Sequence, residues 1–391
     1  MALPRLENPP TPWDSTVVEY FGEPPEVRLE IFEDSSKTIL SKNDSPDLGF
    51  RFSLNPYRGC FHGCAYCYAR PTHEYLGFGA GTDFERRITV KPRAPELLRA
   101  ALRARSWQGD LILFSGNTDC YQPIEARYQL TRRCLEVCLE HEQPVHVITK
   151  SPLVERDLDL LVELDRVAGA GVTLSIPFAD AEHARAIEPY VATPSRRFET
   201  IRRLSEAGLS VVVNVAPIIP GLNDGEIPEV LTRAREAGAQ SAGLILLRLP
   251  GSAAAVFEGR VRQALPLRAE RILARTREMR RGRLNDPRFG SRMRGEGNYV
   301  ESIQRLFEVT ARRLGFDERR FPSARAAPVR VGPEEGPEEG PAKSPRRSPE
   351  EGPAKGAAPP RQTSDEAPGE ESARARSSRE RRPSSRQLRL F

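Results

Sequence analysis

Between about residue 50 and residue 320, short apolar runs rich in β-branched residues alternate with longer segments whose apolar positions recur every three or four residues. The runs Arg51–Asn55, Leu111–Ser115, Val145–Thr149, Val172–Ile176, Ser210–Val215 and Gly243–Leu247 predict strands. The segments Ala94–Arg105, Ile124–His141, Glu155–Ala168, Ala179–Glu188, Ser195–Ala207 and Glu226–Ala237 predict the helices between them. Gly208 and Gly238 fall just past two of these helices, where a left-handed residue commonly ends the turn. Strand–helix alternation of this kind makes an α/β protein with a parallel sheet, open or closed into a barrel. Two further helices, near Arg268–Arg281 and Tyr299–Arg313, complete the body.

The pattern fades at both ends. Residues 1–48 are rich in Pro, Asp and Ser and read as an extended N-terminal arm with at most short strands, such as Val27–Phe32. The body then spans 49–325, and 326–391 is a C-terminal tail. From residue 331 onward there is little but Gly, Pro, Ser, Glu, Ala and Arg, and Glu338–Lys343 is repeated as Glu350–Lys355. A segment with so little apolar surface to bury is expected to be disordered.

Composition sharpens this division. The 391-residue chain is only 38% hydrophobic, 29% charged and holds 35 prolines, and the tail accounts for much of that bias. Outside residues 331–391 there are 47 Lys and Arg against 43 Asp and Glu, a balance too mild to indicate nucleic acid by itself. Within the tail, 331–372 hold 5 positive and 10 negative charges, whereas 373–391 hold 7 arginines and one glutamate. An acidic linker with a basic end suits either an interaction tail or a solvated spacer. No apolar run reaches membrane-helix length and Met1–Asn8 has no signal-peptide core, so a cytoplasmic protein without a membrane partner is expected.

Six cysteines, at 60, 64, 67, 120, 134 and 138, do not form a secreted disulfide framework in a chain of this kind. In a reducing compartment, clustered cysteines more often hold metal or carry redox chemistry. Three of them stand in Cys60-Phe-His-Gly-Cys64-Ala-Tyr-Cys67, directly after the first strand. Thiolates suit zinc or an iron–sulfur cluster. A structural zinc site needs four ligands, which His62 or His73 could complete as Cys3His. Three ligands on a 4Fe–4S cluster leave one iron open for chemistry.

The spacing C-x3-C-x2-C, with Tyr66 before the last cysteine, resembles the radical S-adenosylmethionine (SAM) superfamily. The flanking Asn55-Pro-Tyr-Arg-Gly-Cys60 and Cys67-Tyr-Ala-Arg-Pro-Thr-His73 resemble a bacterial branch related to spore photoproduct lyase. The likeness runs from Ser45-Pro-Asp47 to about Gly315. It includes Asn117-Thr-Asp-Cys-Tyr-Gln-Pro-Ile-Glu125, Thr149-Lys-Ser151, Ala216-Pro-Ile-Ile-Pro-Gly-Leu-Asn-Asp224 and Leu247-Arg-Leu-Pro250. It implies a partial (β/α)6 TIM-like barrel, a 4Fe–4S cluster on Cys60, Cys64 and Cys67, and SAM on the open iron. One electron, from a donor such as flavodoxin or ferredoxin, would then yield a 5′-deoxyadenosyl radical that abstracts hydrogen from a substrate.

Matched by strand end, the resemblance implies SAM contacts. Tyr66 would lie near the adenine. Asn117, Thr118 and Asp119 follow the second strand, where an acidic group suits the methionyl ammonium. Ser175 and Asn214 end the fourth and fifth strands and could reach the ribose or carboxylate. Arg248 follows the sixth and could stack on adenine or pair with the carboxylate. Lys150 and Arg58 are further charged residues near this face. Each of these could instead be a polar strand-end residue satisfied by a neighbouring loop.

Of the other cysteines, Cys134 and Cys138 share one helical face with Leu130 and read as core. Cys120 follows the second strand. Photoproduct lyases use a cysteine to return hydrogen to the product radical, in a different surrounding motif, so Cys120 is a candidate hydrogen donor only. Gly77-Phe-Gly-Ala-Gly81 lacks the context of a phosphate loop and reads as a flexible loop.

The last residues, Gln387, Leu388, Leu390 and Phe391, with Arg389 departing at the third position, resemble the bacterial sliding-clamp-binding pentapeptide. Apolar side chains on a polar tail are candidates to fill a partner's pocket. The expected function is a radical SAM enzyme acting on DNA or a DNA lesion. The rivals are a radical SAM enzyme on a protein, tRNA or small molecule, and a non-catalytic zinc or iron–sulfur adaptor recruited to DNA through the clamp.

Overall fold

All six body strands form. In the computed structural model, which describes residues 28–316, the strands are β1 (Glu30–Glu33), β2 (Leu40–Lys42), β3 (Phe52–Leu54), β4 (Tyr57–Arg58), β5 (Arg87–Val90), β6 (Ile112–Phe114), β7 (Val145–Thr149), β8 (Ala170–Ser175), β9 (Ser210–Ile218) and β10 (Ser241–Leu246). The main sheet has the order β10-β9-β8-β7-β6-β3-β2. Its strands from β3 to β10 pair in parallel, and only β2 is antiparallel, against β3. Neighbours follow in sequence with helices between them, and β10 does not close onto β3. This is the open, partial (β/α)6 barrel expected. The arm contributes two strands: β2 extends the main sheet, and β1 joins β5 and β4 in a small second sheet.

Strand register separates two kinds of side chain. Leu54, Phe114, Val147, Val172 and Val211 lie side by side on one face and are buried against Leu135, Leu161, Ile201 and Val230 of the surrounding helices. Each such side chain contributes about 1.5–3 kcal/mol. The other face carries Ser53, His146, Thr173, Ser175, Asn214 and Ser241, all buried. A His146 ring nitrogen meets the Thr173 hydroxyl at 2.7 Å on that face. A core would not be lined this way; a polar lumen would.

Among the longer helices, three places differ from expectation. Ile124–His141 is not continuous: it breaks at Gln129, in a left-handed conformation, into Glu125–Tyr128 and Leu130–Glu140. The Glu125 carboxylate turns back and accepts from the amides of Thr131 and Arg132, capping the second helix (3.0 and 3.3 Å). The segment Glu155–Ala168 begins as a tight 3₁₀ turn, Pro152–Asp157, before the helix Leu158–Val167. The helix Ala253–Ala264 was not anticipated.

The loop Gly77–Gly81 is pinned rather than flexible. Ala80 is fully buried, and the carbonyls of Ala80 and Gly81 accept from Arg70. Among the described residues no helix is long and apolar enough to cross a membrane. The whole of the tail, including the clamp-like pentapeptide, and the first 27 residues lie outside the described residues.

Candidate active site

The cysteine loop follows β4 and is held by backbone and side-chain hydrogen bonds. Gly59, at φ +76°, starts it; a Cβ there would sit 2.9 Å from the Phe84 carbonyl. The Cys60 amide donates to that carbonyl (2.9 Å) and the Ala65 amide to the Ile187 carbonyl (3.0 Å). Gln122, fully buried, grips both sides: its Oε1 accepts from the Phe61 amide (2.9 Å) and its Nε2 donates to the Gly59 carbonyl (3.0 Å).

Arg70 is the centre of this arrangement. It is fully buried and lies 5.2 Å from the Phe84 ring centroid. Its guanidinium donates to the carbonyls of Gly63, Cys64, Ala80 and Gly81 and to Glu85 Oε1 at 2.6 Å. A planar fork with five N–H groups can satisfy so many converging acceptors; an ammonium cannot.

The three thiols of Cys60, Cys64 and Cys67 are neighbours: Cys64 and Cys67 both raise the pKa of Cys60, and Cys67 raises that of Cys64. Burial pushes the Cys60 thiol well up, helped by Asp119 and the other two thiols. Burial also pushes Cys64 up to about 12, with Glu188 adding to it and Lys150 opposing. Cys67 is raised by burial against the pull of Arg70. A metal centre must therefore displace a proton from each thiol. Among the described residues no three His, Cys, Asp or Glu side chains converge to chelate one ion. His62 is engaged by Asp119 (3.4 Å), and burial lowers the pKa of His73 to about 4 between Phe78 and Phe84.

Tyr66, inside the triplet, ties the loop to the lumen. Its hydroxyl bonds Glu188, whose other oxygen pairs with Arg197 at 2.6 Å, and Arg197 donates to the Ser175 carbonyl (2.9 Å). The Glu188 and Arg197 side chains are both fully buried. Lys150 lies 5.7 Å from the Tyr66 ring centroid. Burial opposes its charge, but Cys64, Glu188 and Asp119 outweigh that and keep it a cation.

Ser175 and Asn214 come together as their strand-end positions imply: they are direct partners across β8 and β9, both about 5% exposed. Asn214 Oδ1 is buried with no hydrogen-bond partner. An unmet buried acceptor costs about 1–3 kcal/mol and marks a place for a donor that is not part of the fold. Asn214→Ala is accordingly expected to leave the melting temperature unchanged or higher, while weakening SAM binding about tenfold. Equilibrium binding and thermal melts of one preparation check both halves.

Asp119 stands elsewhere in the scheme. Its Oδ1 accepts from the Thr149 hydroxyl (2.7 Å) and the Tyr121 amide (2.9 Å); its Oδ2 accepts from the Lys150 amide (2.9 Å) and faces His62. These four partners fill the acceptor capacity of a carboxylate. Burial raises its pKa, but His62 and these hydrogen bonds outweigh it and hold the group at about 2. Because the folded pKa is depressed, the stabilisation is complete above pH 4 and is lost as pH falls through 2. It amounts to about 2 kcal/mol at neutral pH. Asp119→Asn is expected to lower stability by about that amount at pH 7 and by much less near pH 2, as denaturant titrations at the two pH values would show.

The remaining candidates are placed as follows. The Thr118 hydroxyl donates to the Tyr57 carbonyl (2.6 Å). The Asn117 amide donates to Asn55 Oδ1 (2.8 Å) and its side chain to Thr72 (3.3 Å). Arg248 lies 5.8 Å from the Tyr68 ring centroid, next to Cys67, with its Nε buried and unpartnered. Arg58 pairs with Asp34 on the small sheet (3.3 Å). Cys134 and Cys138 are in the core, as expected.

Cys120 is also fully buried there, its amide bonded to Ser115 and its carbonyl to Thr131. This placement suits packing. Cys120→Ala is expected to destabilise by about 1–2 kcal/mol and leave SAM cleavage per folded protein unchanged.

Sequence reasoning passed over Arg70, Gln122, Glu188 and Arg197. Arg70 and Gln122 lay inside the quoted motifs without a role. Nothing local marks Glu188, whose partner Tyr66 is 122 positions away.

Known proteins share this architecture. The Radical SAM superfamily model matches residues 54–234. An uncharacterised protein of Mycobacterium tuberculosis is 37% identical over 262 residues, covering 66% of this chain and 76% of the relative. Another, of Methanocaldococcus jannaschii, is 29% identical over 199 residues, covering 51% and 71%. A solved mutant of spore photoproduct lyase, with bound AdoMet and dinucleoside spore photoproduct, aligns with a TM-score of 0.56 at 16% identity, over 78% of this chain and 88% of that one. At that identity the likeness is one of fold. The matched stretch runs from β3, through the cysteine loop and the lumen strands, into the helix after β9, and it makes this chain a member of the radical SAM superfamily.

Proposed function

We propose that the protein abstracts a hydrogen atom from a nucleic-acid substrate, with damaged DNA as the first candidate. Membership of the superfamily implies a 4Fe–4S cluster and SAM. The observation that carries the reading is the pairing of three adjacent thiols, two buried and Cys67 half-buried, with a polar lumen in which Asn214 Oδ1 is unmet.

Cys60, Cys64 and Cys67 would hold the cluster. Lys150 offers the cation for a carboxylate, and Asn214 beside Ser175 offers polar groups for an amine or ribose hydroxyl. When bound and reduced by one electron from a donor protein, the cluster and SAM supply a carbon radical. This chain's own contribution is to fix the loop through Arg70 and Gln122 and to keep the thiols out of water.

Three features support a nucleic-acid substrate. The fold is shared with a lyase solved with a dinucleoside. Residues 373–391 hold 7 arginines, which suit phosphates. Gln387–Phe391 resembles a clamp-binding peptide, which would bring a cytoplasmic enzyme to DNA. The test uses reconstituted full chain, SAM and lesion-bearing oligonucleotides deuterated on the carbons of the lesion. Deuterium in 5′-deoxyadenosine, free or re-formed into SAM, is the expected result. SAM cleavage with no deuterium leaving any DNA substrate would overturn it. Removing residues 387–391 is expected to abolish retention on immobilised sliding clamp, and unchanged retention would discard the tether.

A further inference from the structure

The segment from Arg280 to Glu296 carries six arginines and two carboxylates. It runs beside the loop after β10 and is fixed to both ends of the body. Arg280 donates to the carbonyls of Leu247 (2.6 Å) and Ser291 (2.8 Å). Asp47, from the arm, accepts from the Gly290 amide and from Arg292. Met293 Sδ lies 3.4 Å from Arg248, which in turn covers Tyr68, the residue after Cys67. The segment therefore borders the same mouth as the cysteine loop.

Its charges are not all spent internally. Glu296 pairs with Arg281 and Arg288, Asp286 with Arg288, and Asp47 with Arg292. Arg283 and Arg294 are exposed, and neither has an ion-pair partner among the described residues. Phe289, between them in the sequence, is 61% exposed. The Arg292 guanidinium sits 4.2 Å from its ring centroid. Because Asp47 holds Arg292, the ring is braced from behind and remains open to solvent.

We propose that Phe289, braced by Arg292 and flanked by Arg283 and Arg294, is a stacking platform for an unpaired base of single-stranded DNA at the active-site mouth. An aromatic face on a segment that carries free cations before and after it in sequence matches the two features of such a strand: bases with open π-faces and phosphates between them. A paired duplex offers no free base face, so the ring selects unstacked DNA. A platform already braced needs little ordering on binding. The choice of DNA rests on the function proposed above; the stacking and charge argument does not.

The test is fluorescence anisotropy of a labelled single-stranded oligodeoxynucleotide with the full chain, cluster loaded, without SAM or reductant. Omitting both separates this inference from the radical chemistry. Phe289→Ala should weaken binding about tenfold with an unchanged salt slope, and Phe289→Trp should restore it. Arg283→Glu with Arg294→Glu should weaken binding and reduce the salt slope by about 1.4. The tail arginines are present in every variant, so the differences report this segment. Unchanged affinity in Phe289→Ala and the double charge variant, with melting temperatures at the parent value, would overturn the proposal. Tighter binding of the matching RNA would overturn the assignment to DNA.

Discussion

Arg70→Met should lower the iron content after anaerobic reconstitution to less than a tenth of the parent's, with SAM cleavage falling in step. The side chain is fully buried and its fork serves four carbonyls and Glu85. Removing it leaves Glu85 as a buried charge without a partner, which costs about 3–5 kcal/mol. It also leaves the carbonyls of Gly63 and Cys64 unsatisfied inside the cysteine loop. At 2–4 °C per kcal/mol, a fall of roughly 10 °C in Tm is expected. Arg70→Lys keeps the charge but not the fork, and should lose iron nearly as completely with a smaller fall in Tm. Pairing Arg70→Met with Glu85→Met removes the stranded charge, so much of the stability should return while the iron does not. Full iron and cleavage in that double variant would make Arg70 a residue of the fold alone.

The second large effect is at Glu188. Its carboxylate joins Tyr66 of the cysteine loop to Arg197, which holds the end of β8. Glu188→Leu strands the Arg197 guanidinium, whose surroundings are fully buried, and should destabilise the protein by about 3–5 kcal/mol. Tyr66→Phe removes one hydroxyl from the same chain of contacts and should cost about 1 kcal/mol. Chemical denaturation of the two variants gives the comparison. If Glu188→Leu were no more disruptive than Tyr66→Phe, the bridge between cluster loop and lumen would not be the support described here.

The strands were legible because a parallel sheet with helices on it needs continuous Val, Ile and Leu runs, and those survive in any reading of the chain. The cysteine triplet was legible because its spacing is local. The polar lumen was not: Ser53, His146, Thr173 and Ser241 share a face only through register across neighbouring strands. Ser175 and Asn214 were placed by strand end, and the register makes them direct partners. The break at Gln129 was invisible because a carboxylate four residues earlier, Glu125, competes with the helix for its own amides. Arg70 stood in plain view, but its acceptors at 80, 81 and 85 meet it only when the loop folds back. Cys120 and Asp119 sit at the expected strand end, yet what surrounds them gives each a structural task the position alone does not disclose.

Everything proposed for this protein depends on Cys60, Cys64 and Cys67 holding a cluster that serves SAM chemistry. The most direct measurement is the yield of 5′-deoxyadenosine when anaerobically reconstituted protein is reduced in the presence of SAM, alongside its iron and zinc content. The expected result is a brown, iron-loaded protein that forms 5′-deoxyadenosine, and Cys→Ala variants at positions 60, 64 and 67 that form none. A colourless zinc-bearing protein that leaves SAM intact, or Cys→Ala variants that still cleave it, would take the cluster away from these three thiols.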